Sequence, residues 1–204
     1  MAVAPTVQTD PASAERAGEL LARAFHDDPM FCSVQPDPER RRRALPWFFT
    51  AAARLGLREG EVHMLDHDAG AAIWLPPGHG RMGAGAIVRS GLALVPVRFG
   101  PSAFRRFARI TGNFDAARAE LVHQPYWHLF ILGVEPEQQG RGLGGELIAP
   151  VLARADHAGL PCYLETSEEH NVPFYERHGF AVAGGRRDPE GAPPFWPMLR
   201  EPGR

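Results

Sequence analysis

The sequence contains no lysine: its 22 Lys and Arg residues are all arginine. Lysine supplies the amine of Schiff-base enzymes, the phosphate-binding side chain of P-loop proteins and the strand lysine of protein kinases. Its absence therefore excludes these three classes. Arginine stays charged at any practical pH, so it can bind phosphate or carboxylate groups but cannot act as a base.

Cysteine is also scarce, with only Cys32 and Cys162 in the chain. Two cysteines provide neither a disulfide framework nor a set of metal ligands. The nine histidines lack the spacing of a metal site. We therefore expect no metal. We also expect Cys162 to be a buried strand residue, because its local sequence offers no base that would make it a nucleophile.

Long apolar runs and a strong positive charge are missing too. The longest apolar run, residues 126–134, falls well short of the roughly 20 residues that span a bilayer. The N-terminal sequence lacks a basic segment followed by an apolar one. The formal net charge of −2 gives no general attraction for nucleic acid or an anionic membrane. These features predict a cytoplasmic protein that binds neither nucleic acid nor membranes.

The composition is that of a globular protein, with 44% hydrophobic and 23% charged residues among 204. This length predicts a single domain over residues 1–204. Helical spacing of apolar residues indicates helices over residues 12–25 and from Arg40 to Gly56. Residues 80–122, rich in glycine and arginine, are interpreted as an inserted pair or trio of helices. Strands are predicted at 61–66, 70–75, 126–134, 162–166, 179–185 and 195–200, and further helices from 143 and over 171–178.

A glycine-rich turn connects the strand at 126–134 to the helix that follows it. Such a turn binds anions, because its backbone N–H groups converge and the helix dipole adds positive potential. Glycines at 140, 142, 144 and 145 would let a phosphate approach the backbone. The same residues satisfy the dinucleotide fingerprint G-x-G-x-x-G. However, five residues separate Val134 from Gly140, whereas the first glycine of that fingerprint follows its strand almost immediately.

The segment LGVEPEQQGRGLGGELI resembles the acetyl-CoA signature of the GNAT superfamily of N-acetyltransferases, Gln/Arg-x-x-Gly-x-Gly/Ala. Gln139, Gly142 and Gly144 occupy its positions. Downstream, NVPFYERHGF resembles the second motif of the family through Asn171, Tyr175, Gly179 and Phe180. Two motifs in order are much more specific than either alone, and the resemblance covers residues 126–184.

The resemblance implies a mixed α/β (α+β) fold with a central, mostly antiparallel sheet flanked by helices. Its sheet would be splayed between the strands at 128–134 and 161–165. The acetyl-CoA-binding core would occupy residues 126–184, with the helical insertion at 80–122. In addition, the segment IWLPPG at residues 73–78 resembles the puromycin N-acetyltransferase-like branch.

The resemblance also implies acetyl-CoA as co-substrate. The pantetheine arm would pair with Leu132, Gly133 and Val134, and Gly133 would suit a β-bulge that opens the slot. Asn171 would contact acetyl-CoA, although it could instead cap a helix. The pyrophosphate would be bound by the turn that contains Gln139, Gly140, Arg141, Gly142, Leu143, Gly144 and Gly145.

For catalysis, Tyr175 matches the general acid of the family, since a phenol can donate a proton to the leaving thiolate. A core tyrosine is the alternative. The base is left open between His128 and Glu165. Either residue could instead be structural, His128 as a buried histidine with its hydrogen bonds satisfied and Glu165 as the partner of an arginine.

These inferences predict acetyl-CoA-dependent N-acetylation of a primary amine by direct transfer, without an acyl-enzyme. The expected acceptor is a small molecule, such as an antibiotic-like amine, and a homo-oligomer is left open. One alternative function is a non-catalytic acyl-CoA sensor on the same fold, which would not need Tyr175. The other is a dinucleotide-binding oxidoreductase.

Overall fold

The computed structural model describes residues 5–78 and 83–203. A seven-stranded sheet forms its centre, in the order β1-β2-β3-β4-β5-β7-β6. Within the described residues, only β4 and β5 pair in parallel. The predicted mixed, mostly antiparallel fold is therefore confirmed. The strands are β1 (Thr6–Gln8), β2 (Glu61–Met64), β3 (Gly70–Leu75), β4 (Trp127–Val134), β5 (Cys162–Thr166), β6 (Ala181–Val182) and β7 (Trp196–Arg200).

Three of the helices begin with an Asp-Pro pair. Asp10, Asp28 and Asp37 are the N-caps of α1, α2 and α3, and each side chain accepts a hydrogen bond from a first-turn N–H. Proline at the next position needs no hydrogen-bond partner there, so this pairing favours helix initiation. The helices are α1 (Pro11–Ala24), α2 (Pro29–Val34), α3 (Pro38–Glu59), α4 (Ala84–Ser90), α5 (Val95–Phe99), α6 (Pro101–Leu121), α7 (Leu143–Ala158) and α8 (Val172–Arg177).

Helices cover both faces of the sheet. Successive side chains of a strand point to opposite faces of the sheet. Neighbouring residues of β3 therefore belong to different cores. Ile73 joins the cluster formed with α1, α3 and α6. Trp74, fully buried, joins the cluster formed with α7 and α8. Each face of the sheet thus has its own apolar core.

The predicted insertion is helical where the structure describes it, since residues 84–121 form α4, α5 and α6. Residues 80–82 of the predicted range lie outside the described residues. Helix α6 is fixed to the rest of the fold by Arg106, whose guanidinium donates two hydrogen bonds to the carbonyl of Val34 at the end of α2. Buried residues of α5 and α6, among them Phe99 and Ile110, also belong to the first core.

Two short strands differ from the prediction. Of the strand expected at 179–185, only Ala181–Val182 pairs with β7, because Gly184 and Gly185 adopt positive φ and turn the chain. The edge strand Thr6–Gln8 had no sequence signal. Among the described residues, no helix is both long enough and apolar enough to cross a membrane.

The carboxylate of Glu61 links β2 to α7 and makes stability depend on pH. His63 Nε2 lies 2.8 Å from its Oε2, and Arg154 donates two hydrogen bonds of 2.9 and 2.6 Å. The His63 contact and then Arg154 lower the pKa of Glu61 from 4.5 to about 2. A lowered carboxyl pKa stabilises the fold above the unfolded-state pKa, and this stabilisation is lost as the pH falls toward 2.

We therefore expect Glu61→Gln to lower the free energy of unfolding at pH 7 by about 1–2 kcal/mol, allowing for solvent screening of a partly exposed group. The difference from the wild type should shrink steadily between pH 5 and 2, as followed by thermal melts. Glu15→Gln, which removes an exposed partner of Arg54, is the control and should change little. A difference for Glu61→Gln that is constant over this pH range would contradict the assignment.

Candidate active site

The functional site is built where β4 and β5 separate. The two strands are paired only at Trp127 with Cys162 and at His128 with Tyr163. Beyond this point the edge of β4 that faces β5 has no strand partner among the described residues. A cleft of about 390 Å³ opens there, between β4, the glycine turn and α8. The predicted splay of the sheet is present.

A β-bulge bends β4, but it lies at a different residue from the predicted one. Ile73 pairs with Ile131 and Trp74 pairs with Leu129, so Phe130 is the additional residue. Gly133 pairs regularly with Ala71, and the prediction that it forms the bulge is wrong.

Gly133 is instead required by close packing. A Cβ at this position would lie 2.7 Å from Leu21 Cδ2 and 3.1 Å from Ala24 Cβ. Glycine therefore lets α1 approach the strand closely. Because Gly133 lines the cleft together with Leu132 and Val134, the same contact fixes the position of the cleft wall.

The glycine turn presents free backbone donors at the start of α7. Gly140 and Gly142 adopt φ of +75° and +83°, which glycine tolerates and other residues rarely adopt. The N–H groups of Leu143 and Gly144 have no hydrogen-bond partner among the described residues. They lie at the positive end of the helix dipole, so this end of the cleft suits an anion.

Gly144 and Gly145 serve mainly the packing of α7 on α8. A Cβ on Gly144 would lie 3.1 Å from Phe174 Cζ, and one on Gly145 would lie 2.7 Å from His178 Nε2. The N–H of Gly145 already donates to the carbonyl of Gly142 at 2.9 Å. Of the two, Gly144 therefore keeps a free donor and Gly145 does not.

The two polar side chains of the turn have different positions. Gln139 Nε2 donates to the carbonyl of Val134 at 3.2 Å, which ties the turn to the end of β4. Arg141 is exposed and is not among the residues that line the cleft. A contribution of Arg141 to phosphate binding stays a prediction.

Helix α8 forms the opposite wall with Tyr175. This residue is 8% exposed, and its ring packs against Phe174 and Phe180, with ring centroids 5.0 and 5.9 Å away. Burial, with smaller contributions from Glu168 and Asp28, raises the pKa of Tyr175. The phenol is therefore protonated at neutral pH, and Tyr175 lines the cleft.

Asn171 precedes α8 and also lines the cleft. It occupies the N-cap position, but its side chain makes no capping hydrogen bond. Its amide instead donates to Glu168 Oε2 at 3.2 Å. The alternative reading of Asn171 as a simple helix cap is thus wrong.

His128 and Glu165 lie together just where β4 and β5 part. His128 Nε2 is 3.0 Å from Glu165 Oε2, and Nη1 of Arg118, a residue of α6, is 3.3 Å from Glu165 Oε1. The side chains of His128 and Glu165 are only 7% and 6% exposed. Neither lines the cleft, so this geometry matches the structural alternative stated for each.

Sequence reasoning missed two carboxylates of the cleft, Asp28 and Glu168. Asp28 Oδ1 accepts hydrogen bonds from the N–H groups of Met30 and Phe31, at 2.9 and 3.3 Å. Burial, with a contribution from Glu168, raises its pKa to about 7. The Asp-Pro pair signals a helix cap, but nothing local in the sequence places that cap beside Tyr175.

The remaining expectations concern metals, cysteines and dinucleotides. No group of three or more potential metal ligands occurs among the described residues. Cys162 is buried, and burial raises its pKa to about 12. The dinucleotide alternative requires a doubly wound parallel sheet, whereas this sheet is mostly antiparallel, and the turn leaves β4 through a 3₁₀ segment at Pro136–Gln138.

Comparisons with known proteins agree with this geometry. The sequence profile of the acetyltransferase (GNAT) family matches residues 105–180, from within α6 to the end of the second motif. An uncharacterized N-acetyltransferase of Schizosaccharomyces pombe is 28% identical over 197 residues, which cover 92% of this chain and 79% of the relative.

Solved structures show the same fold. A Corynebacterium glutamicum structure, described as histone acetyltransferase HPA2 and related acetyltransferase, aligns with a TM-score of 0.67 and 22% identity over 98% of both chains. Arylalkylamine N-acetyltransferase 2 of Aedes aegypti aligns with a TM-score of 0.62 and 14% identity, over 98% of this chain and 99% of the other. The family profile, the curated relative and the shared architecture agree with both motifs: residues 105–180 match the GNAT acetyltransferase family, and the chain has the fold of solved acetyltransferases and resembles a curated N-acetyltransferase over most of its length.

Proposed function

We propose that the protein is cytoplasmic and transfers the acetyl group of acetyl-CoA directly to a primary amine of a small molecule. One observation carries this proposal: the free edge of β4, the anion-binding turn and the phenol of Tyr175 line a single cleft. These are the three parts needed to hold an extended acyl carrier, bind its phosphates and protonate its thiolate.

The described residues fit acetyl-CoA, which supplies the activated acetyl thioester. The free edge of Leu132–Val134 offers backbone groups to an extended amide-containing arm, as in strand addition. The N–H groups of Leu143 and Gly144 and the dipole of α7 suit a pyrophosphate. Asn171 offers a further polar contact from the opposite wall.

Direct transfer is supported by the state of the two cysteines. Neither Cys32 nor Cys162 lines the cleft. Burial raises the pKa of both thiols, so neither is a thiolate poised for attack at neutral pH. An acyl-enzyme on cysteine is therefore disfavoured, and the amine itself attacks the thioester. Tyr175 then donates its proton to the departing sulfur.

The surroundings of the cleft favour an amine that arrives protonated. Asp28 and Glu168 line it together with the aromatic rings of Phe25 and Phe174. Carboxylates attract an ammonium group, and aromatic faces bind both cations and apolar groups. A small amine with an apolar or aromatic body fits this lining. Membership of the puromycin N-acetyltransferase-like branch stays a prediction.

An amine panel tests the proposal. The protein is incubated with acetyl-CoA and 2-phenylethylamine, spermidine, puromycin or a short peptide with a free N-terminus, and CoA release is followed with a thiol reagent. We expect release with at least one small amine and none with its N-acetylated form. Acetyl-CoA binding without release for any amine would instead support an acyl-CoA sensor.

Tyr175→Phe tests the general acid. We expect turnover to fall roughly 100-fold, because the thiolate loses its proton donor. The dissociation constant of acetyl-CoA, measured by calorimetry, should stay within about threefold, since the ring still packs on Phe174 and Phe180. Tyr126→Phe is the matched control and should retain turnover. Unchanged turnover in Tyr175→Phe would remove Tyr175 as the acid.

Gly142→Ala tests the anion-binding turn against a control at the other end of α7. Gly142 and Gly159 both have positive φ, and a Cβ on either meets nothing within 4 Å. Each alanine variant should therefore lose about 1–2 kcal/mol of stability through backbone strain. Only Gly142→Ala should weaken acetyl-CoA binding, by roughly tenfold, because it distorts the turn beside the free N–H groups. Equal affinity in the two variants would contradict the site.

A further inference from the structure

Asp28 differs from the other two Asp-Pro caps in its surroundings. Asp10 and Asp37 are exposed, whereas Asp28 is partly buried and lines the cleft. Both capping hydrogen bonds of Asp28 fall on Oδ1, from Met30 and Phe31. The cap thus holds the carboxyl group in a fixed position, and Oδ2 makes no hydrogen bond to the described residues.

The charged and titratable groups around Asp28 come from three elements. Glu168 follows β5 and Tyr175 lies on α8; the charge of Asp28 contributes to the raised pKa of Tyr175. Cys32 lies on α2, and the charge of Asp28 also contributes to its raised pKa. His170 and Arg177 line the same cleft. No salt bridge to Asp28 occurs among the described residues, so it differs from Glu165, which is paired with both Arg118 and His128.

We propose that Asp28 is the catalytic base, which receives the acceptor as an ammonium ion and removes its proton. This inference rests on the proposed function. Asp28 lines the cleft that also holds the acid Tyr175, it is fixed by its own helix cap, and it has a free oxygen. Glu165 is paired with both His128 and Arg118, and neither His128 nor Glu165 lines the cleft.

The proton balance is simple. An N–H proton of the ammonium moves to Asp28 Oδ2, which leaves a neutral nitrogen with a lone pair. That nitrogen bonds to the acetyl carbon, and the carbon–sulfur bond breaks. Tyr175 gives its proton to the sulfur and regains one from the nitrogen of the new amide. Asp28 then releases its proton to solvent, so each turnover of an ammonium substrate yields one proton.

The ionisation of Asp28 suits this role. With its pKa raised to about 7 by burial and Glu168, the carboxylate is strong enough to take a proton and is available near neutral pH. Activity should rise with pH through about 7, as Asp28 loses its proton. The acceptor class that follows is a primary amine that is cationic in solution.

Asp28→Asn separates the base from the cap, because asparagine caps helices about as well as aspartate but cannot accept the proton. Asp37→Asn, at the equivalent Asp-Pro cap of α3, is the matched control. With the best acceptor of the amine panel, we expect kcat/KM of Asp28→Asn to fall roughly 100-fold at pH 7 and the rise around pH 7 to disappear. Acetyl-CoA affinity should be unchanged, and Asp37→Asn should behave like the wild type.

Two measurements need no acceptor. Infrared difference spectra between pH 5 and 9 should show a carboxyl group titrating near pH 7 in the wild type and not in Asp28→Asn. A raised carboxyl pKa destabilises the fold as pH rises from the unfolded-state value to the folded-state value. The Tm of Asp28→Asn should therefore exceed that of the wild type at pH 8, and the gap should close near pH 4.

The outcomes are distinct from failure of the proposed function. If the wild type releases CoA with an amine and Asp28→Asn keeps its rate and pH profile, Asp28 is not the base and the N-acetyltransferase assignment stands. If no carboxyl group titrates near pH 7, or the Tm gap is constant between pH 4 and 8, Asp28 does not titrate near pH 7 in the folded protein. The proposal that Asp28 is the base is then overturned. Absence of CoA release by the wild type with every amine counts against the proposed function itself.

Discussion

The site depends on how short the parallel pairing between β4 and β5 is. Two residue pairs hold the strands together, and just beyond them Phe130 is the additional residue of a β-bulge in β4. A fully paired sheet would have no free edge and no cleft. The side chains of Arg118, Glu165 and His128 meet just where the pairing ends. This buried cluster ties α6 to both strands and stabilises the point from which the cleft opens.

Glycine does two separate jobs around this cleft. Gly140 and Gly142 provide positive φ, which turns the backbone so that its donors are free. Gly133 and Gly145 have no side chain, which lets α1 pack closely on β4 and the end of α8 pack closely on α7. Because phosphate recognition rests on backbone donors and a helix dipole, it does not require a lysine. The absence of lysine is thus compatible with binding a phosphorylated carrier.

Much of the fold was predictable from the sequence, because it rests on local patterns. The apolar run that forms β4, the glycine turn and the helical spacing of α7 each depend on neighbours in the chain. The bulge at Phe130 was not predictable, since it depends on how two strands pair across the sheet, and Gly133 was a plausible but wrong choice. Of the residues that line the cleft, Tyr175 and Asn171 were predicted through their motif. Asp28 was missed because its place in the cleft depends on the packing of the α1–α2 connection near α8.

The carboxylates show why position in the fold outweighs residue type. Glu61 and Glu165 are paired with arginine and histidine, so each acts as a link between elements. Asp28 has backbone donors on one oxygen, a like charge nearby and burial without a cationic partner. Burial and the nearby charge of Glu168 oppose its negative charge more than the backbone donors stabilise it, which is unfavourable for stability and favourable for accepting a proton. A carboxyl group left in this state beside a phenol provides the separated base and acid that acetyl transfer to an ammonium substrate requires.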